Sequence, residues 1–363
     1  MKTAIVEVLP NMPAVSVIST VLNEVDDIDL LVESLMRQTL APAEVVVVDG
    51  GSSDGTWERL EAARSRYAAL VPIRDESCSL QGSAGPIARG RNVAIAAASS
   101  EVVACADAGC TYDPDWLANL TAPIFNGDSE YSLGGAYIDL RNSDPANPDP
   151  INLDSANFNP ANPDPRNLDR TKSTVWDVAS APFFGVTINP DAPTKSCTAR
   201  SMAFRRELWR RVGGFPETVF LGEDTLYDAR VRQLARPAFA KCAKARYHPR
   251  HSFASAIRQM ASYSEAWGIL GGRLARLWRN MARCLAEIVA AGALVYSPIP
   301  LASVIALEIY FAFRLDWNDI RKTSIRTLAA RLAFSLAVPW VAAWYQSAGG
   351  IAKKFRPNRQ NFV

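Results

Sequence analysis

Histidine is nearly missing: the 363 residues hold two, His248 and His251. A His-rich metal cluster is therefore excluded. The six cysteines, at positions 78, 105, 110, 197, 242 and 284, include no C-x-x-C pair. That spacing writes neither a zinc motif nor a disulfide framework, and reduced thiols facing a cytosol are expected. No G-x-G-x-x-G fingerprint and no G-x-x-x-x-G-K-[ST] loop occurs, which argues against P-loop ATP hydrolysis. Residues 1–7 lack the apolar region of a signal peptide. A net charge of +2 gives no nucleic-acid signature overall. With 48% apolar and 21% charged residues, global disorder is excluded as well. The charge is unevenly spread, however. Residues 267–363 hold 13 Lys/Arg against 4 Asp/Glu, leaving 26 against 33 in the rest. A basic tail on an acidic body points to an anionic partner, with a membrane first.

What is present is a strand–helix alternation. Val15–Val21 is short and β-branched, and residues 27–38 carry apolar side chains at helical spacing. Glu44–Asp49 is an apolar run ending on a carboxylate, as expected of a strand covered on both faces. A Gly-Gly-Ser-Ser-Asp-Gly turn leads to a helix over Thr56–Arg66. A strand over Leu70–Arg74, a helix over Arg89–Ala98 and a strand over Glu101–Asp107 follow. The series predicts an α/β domain with a mostly parallel, Rossmann-like central sheet, and ligands at the carboxyl ends of its strands.

Two segments depart from this pattern. Residues 142–172 contain Pro-Ala-Asn-Pro-Asp-Pro twice, from Pro145 and from Pro160. Two copies cannot build a solenoid, and the composition predicts an extended, loose insert. The alternatives are an acceptor-binding lid or a Ca²⁺ loop. Towards the C-terminus, residues 288–307 and 332–352 carry no charge. Each is long enough to cross a bilayer of about 30 Å. Pro298 and Pro300 interrupt the first, and basic residues flank both. Spanning helices, helices lying in one leaflet, and a soluble helical core all fit. The expected division is the α/β domain over 1–270 and a helical, membrane-associated region over 271–363.

Several residues can carry chemistry. Asp49, at a strand end, can accept hydrogen bonds from a nucleobase imide or a ribose hydroxyl, or cap the next turn. Arg89 and Arg91 open a helix, where guanidinium forks suit a diphosphate; a solvated basic turn is the plainer reading. Asp107 ends the fourth strand and can hold Mg²⁺ or Mn²⁺ together with substrate phosphates, with Gly109 allowing close approach. Glu223 and Asp224 start a helical pattern. They satisfy the helix dipole or supply a general base. His248 and His251 form an H-x-x-H spacing that Pro249 makes unsuitable for a helical zinc pair. One imidazole could still complete a metal shell.

Taken in order, Val15–Val21, Asn23-Glu24, Gln38-Thr39, Glu44–Thr56, Arg91-Asn92, Asp107-Ala108-Gly109 and Glu223-Asp224 resemble the family 2 glycosyltransferases. Ala199–Arg205 and Val212–Pro216 resemble that family's acceptor-side segment. The resemblance spans residues 14–270 and implies a GT-A fold, a nucleotide-sugar donor with a UDP-sugar first, and inversion at the anomeric carbon. It implies that Glu24 and Asp49 contact the nucleoside and that Arg91 contacts base or diphosphate. It also implies that Asp107 begins a D-x-D metal motif for Mn²⁺ or Mg²⁺, with His248 a supplement, and that Asp224 is the base. Two departures stand out. The metal motif lacks its second carboxylate, since Gly109 occupies that place. The Q-x-x-R-W motif of processive members is absent around Gln259, which argues for transfer of one sugar. The implied partners are a glycan or lipid-linked acceptor and a membrane, with the catalytic domain facing the cytoplasm. The competing readings are a sugar-phosphate nucleotidyltransferase, which the Gly-free acidic loop 22–27 disfavours, and a non-catalytic nucleotide-sugar sensor or scaffold.

Overall fold

The computed structural model describes residues 14–138, 186, 198–248, 253–269, 274–293, 332–333 and 335–347. The repeat insert at 142–172 and most of the run at 288–307 lie outside the described residues. The first half of the chain forms β1 (Val15–Val21), α1 (Ile28–Met36), β2 (Glu44–Asp49), α2 (Thr56–Arg66), β3 (Leu70–Arg74), α3 (Pro86–Ala97) and β4 (Val102–Cys105). Then come β5 (Cys110–Tyr112), α4 (Trp116–Phe125), β6 (Tyr131–Tyr137), β7 (Met202–Arg205), α5 (Arg206–Val212), α6 (Glu223–Val231) and β8 (Ala238–Tyr247). Helices α7 (Phe253–Ile269) and α8 (Leu274–Ala293) follow.

Eight strands make one sheet in the order β3-β2-β1-β4-β7-β6-β8-β5. The first four are parallel, as the alternating pattern predicts. The second half corrects the expectation of a mostly parallel sheet. There β7 runs antiparallel to β4 and β6, β5 runs antiparallel to β8, and only β6 with β8 is parallel. The physical reason lies in the connections. β6 returns through residues 139–201, and β5 is a three-residue strand, so neither obeys the short crossover rule of a β-α-β unit.

The run Val45–Val48 is fully buried because the sheet is covered on both faces. Alternation sends Val45 and Val47 into one core with Leu31, Leu35, Leu60, Trp116 and Leu120. Val46 and Val48 enter the other with Ile95, Phe204, Leu208, Phe215 and Tyr227. On the second face, Phe215 stacks on Tyr227 with ring centroids 4.0 Å apart. Helix α3 lies close on β1, because a Cβ at Gly90 would stand 2.1 Å from Thr20 Oγ1. At the other end of α1, Gln38 Nε2 donates to the Asp113 carbonyl and its Oε1 accepts from the Leu117 amide. That residue ties α1 to the start of α4.

The chain runs outward from β1 to β3 and then crosses back to β4 on the other side of β1. The resulting switch point opens a crevice beyond the carboxyl ends of β1 and β4.

Candidate active site

Two loops at this end of the sheet are knitted together. After β1, the Asn23 amide donates to Ser52 Oγ, the Glu24 amide to Thr56 Oγ1 and the Val25 amide to Asp54 Oδ2. Asn23 Oδ1 accepts from the Ser53 amide, and Asn23 sits at φ 56°, a left-handed conformation that asparagine tolerates. Glu24 is thus fixed by its backbone, and its side chain is half-buried. Asp49 ends β2 fully buried. Its Oδ1 accepts from the Gly51 and Ser52 amides and from Ser52 Oγ at 2.6 Å. Its Oδ2 is buried without a hydrogen-bond partner. The capping role is therefore real, and one acceptor remains over.

Arg91 is the centre of the cleft. It is 4% exposed, and its guanidinium spans two carboxylates. Nη2 meets Asp107 Oδ1 at 2.7 Å, just past β4, and Nη1 meets Glu223 Oε1 at the first residue of α6. Phe215 lies beneath the guanidinium, 5.6 Å from its centroid. Burial alone would lower the pKa of Arg91; Asp107 and Glu223 reverse that and hold it above its ordinary value. Burial pushes the Glu223 carboxyl up, with Arg91 opposing and Asp224 adding to the rise. The sequence points Arg91 at the donor. The structure ties both ends of its fork to protein carboxylates.

Arg89 also departs from its expected place. Its Nε donates to Ser77 Oγ and its Nη1 to Glu217 Oε2. It lines an open depression of about 530 Å³ with Asn92, Trp209, Gly213 and Glu217, away from Asp107 and Asp224. Residue i+2 on a helix points to a different side, so Arg89 and Arg91 do not act as one pair.

Asp224, the second residue of α6, is half-buried. Its Oδ1 accepts from the Thr225 amide at 2.6 Å, and its Oδ2 faces the Ala199 amide at 3.4 Å. Ala199 begins the 3-10 turn Ala199–Ser201. The same turn reaches Asp107: the Asp107 amide donates to Tyr112 Oη, whose hydroxyl donates to the Arg200 carbonyl. One three-residue turn and one arginine thus join Asp107 to the Glu223-Asp224 pair. Tyr263 of α7 is close enough to Arg200, Asp224 and Glu223 to feel their charges, and burial raises its pKa. Helix α7 therefore borders the site.

Asn92, Tyr112 and Arg200 escaped the sequence reading as site residues. Asn92 Nδ2 donates to the Phe215 carbonyl and to Glu217 Oε1, while its Oδ1 accepts from the Phe215 amide and Trp209 Nε1. Its signal was visible as the partner of Arg91 in the Arg-Asn pair. Nothing in the sequence marks Tyr112, which works through its fold position.

Asp107 offers a divalent cation one carboxylate whose second oxygen is not committed to Arg91, at 26% side-chain exposure. That suits an ion sharing its remaining sites with a diphosphate and water. Among the described residues no three His, Cys, Asp or Glu side chains gather to hold a metal. His248 follows β8, with its amide on the Gly109 carbonyl and Nε2 3.0 Å from Thr111 Oγ1. It borders the Asp107 loop but does not complete a cage.

The arrangement is a crevice with a capped acid after β2, an acid after β4 and a carboxylate pair opposite. Residues 16–185 match the family model Glycosyl transferase family 2. The matched segment holds Glu24, Asp49, Arg91 and Asp107, whereas Glu223 and Asp224 lie beyond it. The chain is 36% identical over 127 residues to glycosyltransferase AglE of Haloferax volcanii, which covers 34% of this chain and 39% of AglE. It is 32% identical over 95 residues to a dolichol-phosphate mannosyltransferase of Pyrococcus furiosus, covering 26% of this chain and 25% of the relative. The chain thus spans less than half the length of these relatives. It also superposes at TM-score 0.49 on the mannosyltransferase PcManGT from Pyrobaculum calidifontis in complex with GDP-Man and Mn²⁺. That pair is 18% identical over 94% of this chain and 87% of the other.

Proposed function

We propose that the chain moves one sugar from a nucleoside-diphosphate sugar, a UDP-sugar first, to a hydroxyl acceptor with inversion. The observation that carries this reading is the Arg91 fork. It bridges the metal-type acid, Asp107, and Glu223, the α6 carboxylate next to Asp224. That contact and the 3-10 turn Ala199–Ser201 link Asp224, far along the chain, to the donor crevice.

Asp224 takes the proton of the acceptor hydroxyl. The freed oxygen attacks the anomeric carbon from the face opposite the nucleotide. The bond to the diphosphate breaks, and its electron pair leaves with the diphosphate. Glu223 is spent on Arg91, so it orients rather than reacts. Asp49 offers its unpartnered Oδ2 to a nucleoside donor group. Asp107 would hold a divalent cation, whose chemistry when bound is to neutralise charge on the departing diphosphate. Arg91 keeps Asp107 aimed.

The acceptor is a glycan or a lipid-linked precursor, with the catalytic domain at the cytoplasmic side of a membrane. The basic tail supports that placement. No helix among the described residues is long and apolar enough to cross a bilayer.

A thermal-shift series with UDP, GDP, dTDP and CDP, each with and without Mn²⁺, tests the donor class. A ligand that binds only the native state raises the melting temperature. One diphosphate should do so, and more strongly with metal. The second reading, a non-catalytic sensor, draws on Gly109 standing where a second acid is expected. Metal-dependent nucleotide binding with no transfer to any acceptor would favour it. If no nucleotide shifts the melting curve of folded protein, the donor assignment fails.

A further inference from the structure

Large apolar side chains obey opposite rules in two parts of the molecule. In the sheet domain they turn inward. In α8 and the helical segment 335–347 they turn outward. Of the thirteen large apolar side chains that are exposed among the described residues, eight lie in these two helices. On α8 they are Trp278, Met281, Leu285, Ile288 and Val289. Their spacing of three, four, three and one puts them on a single stripe of the helix. The exposures are large, with Trp278 at 65% and Leu285 at 61%.

Another side of α8 is engaged. Cys284 is buried. Arg283 Nη2 donates to the Ser335 carbonyl at 3.2 Å and to Ser335 Oγ at 3.3 Å. Trp340 Nε1 donates to Glu287 Oε2 across the same contact. The two helices meet through polar groups and leave Trp340, Trp344 and Tyr345 outside, with Trp344 73% exposed. A helix pair buried in a soluble core would do the reverse. An exposed stripe of five large apolar side chains along α8 marks an interaction surface.

We infer that the stripe of α8, with Trp340 and Trp344, lies flat in the headgroup–acyl boundary of an anionic bilayer. Three features select lipid as the occupant. The segment 267–363 carries 13 Lys/Arg against 4 Asp/Glu, which complements anionic headgroups. Arg279 is exposed one step after Trp278, where its head can reach phosphates while the stripe enters the acyl region. The stripe also runs directly into the uncharged stretch 288–307, and segment 335–347 belongs to the uncharged stretch 332–352. With Arg276, Arg279, Arg283 and Glu287 along its length, α8 is amphipathic and suits the interface plane rather than a crossing. This inference rests on the membrane placement proposed above and is independent of the sugar chemistry.

The test is flotation of the full chain with phosphatidylcholine vesicles, with and without phosphatidylglycerol. Wild type should float with the anionic vesicles, and less so as salt is raised. The double variant Leu285→Glu, Ile288→Glu should partition at least about tenfold more weakly. Leu234→Glu, an exposed site on the sheet domain, should float like wild type. Trp278→Phe keeps the apolar bulk and should float, but it should lose a share of the tryptophan quenching by brominated lipid. That variant decides the matter if the double variant misfolds.

If the double variant floats like wild type, or Trp278→Phe leaves the quenching unchanged, the surface is wrong while the membrane placement survives. If wild type does not float at all, both fall, and transfer to a soluble acceptor would still be measurable. If wild type instead dimerises in solution through the stripe without floating, a second copy is the occupant and the inference is overturned.

Discussion

The two walls of the cleft are held in different ways. The donor wall is made from β1, β2 and β4 with their loops, all parallel neighbours. Many short contacts secure it: Asn23 to Ser52 and Ser53, Glu24 to Thr56, Val25 to Asp54, and Asp49 to its own turn. The catalytic wall is α6 and the 3-10 turn, and it arrives from far along the chain. Polar contacts from α3 dock it, chiefly Arg91 to Glu223 and Asn92 to Phe215 and Glu217, while Tyr112 and Trp116 hold the 3-10 turn. The donor wall is therefore secured by local loop contacts, while the catalytic wall is joined to α3 through two adjacent polar residues.

Arg91→Ala should break this contrast most severely. It leaves Glu223 buried with no cation, and such a loss typically costs about 3–5 kcal/mol. Urea unfolding should show that loss, together with abolished transfer. A near-neutral change would mean the fork does not dock the wall.

Asp107→Asn should act on the donor wall without unfolding it. Ligand at a hundred times its Kd stabilises by about 2.7 kcal/mol, and the metal-dependent part of that gain should vanish. Thermal shifts with and without Mn²⁺ read the effect. An undiminished metal response would move the metal elsewhere.

Asn92→Ala sharpens the comparison. It strips partners from the Phe215 amide and carbonyl, a loss of about 1–2 kcal/mol. Transfer should fall while nucleotide binding persists, because only the catalytic wall loosens. Equal loss of both in a titration would contradict the separation.

The smallest effect belongs to Glu44 at the far end of β2. Burial raises its pKa, but bonds from Ser16 Oγ and from the Ser99 amide and hydroxyl outweigh that and bring it below its ordinary value. A depressed carboxylate contributes stability that is present above its unfolded pKa and lost as pH falls through its folded one. Acid unfolding should be shallower in Glu44→Gln, with neutral-pH transfer unchanged.

Much of the donor side was legible, since β1, β2, α2 and β3 fall on the predicted boundaries, while β4 is shorter at both ends than predicted. Local periodicity specifies parallel strands, and their carboxyl ends specify where Asp49 and Asp107 must lie. The pairing of β4 with β7 was not legible, because it joins strands about a hundred residues apart with no local signature. The same blindness hid the ion pairs of Arg91. A guanidinium at a helix start suits a phosphate, and only the tertiary fold reveals that two carboxylates occupy it. Tyr112, Arg200 and the outward stripe of α8 were hidden for the same reason: periodicity shows that a stripe exists but not whether it is covered.

The most direct measurement is single-turnover sugar transfer by Asp224→Asn, with donor affinity measured on the same protein. Removing a general base typically costs about 10²–10⁴-fold in rate. A loss of that size with donor affinity near wild type, while Glu223→Gln keeps measurable transfer, would establish Asp224 as the base in a docked catalytic wall. Unchanged turnover in Asp224→Asn would contradict it.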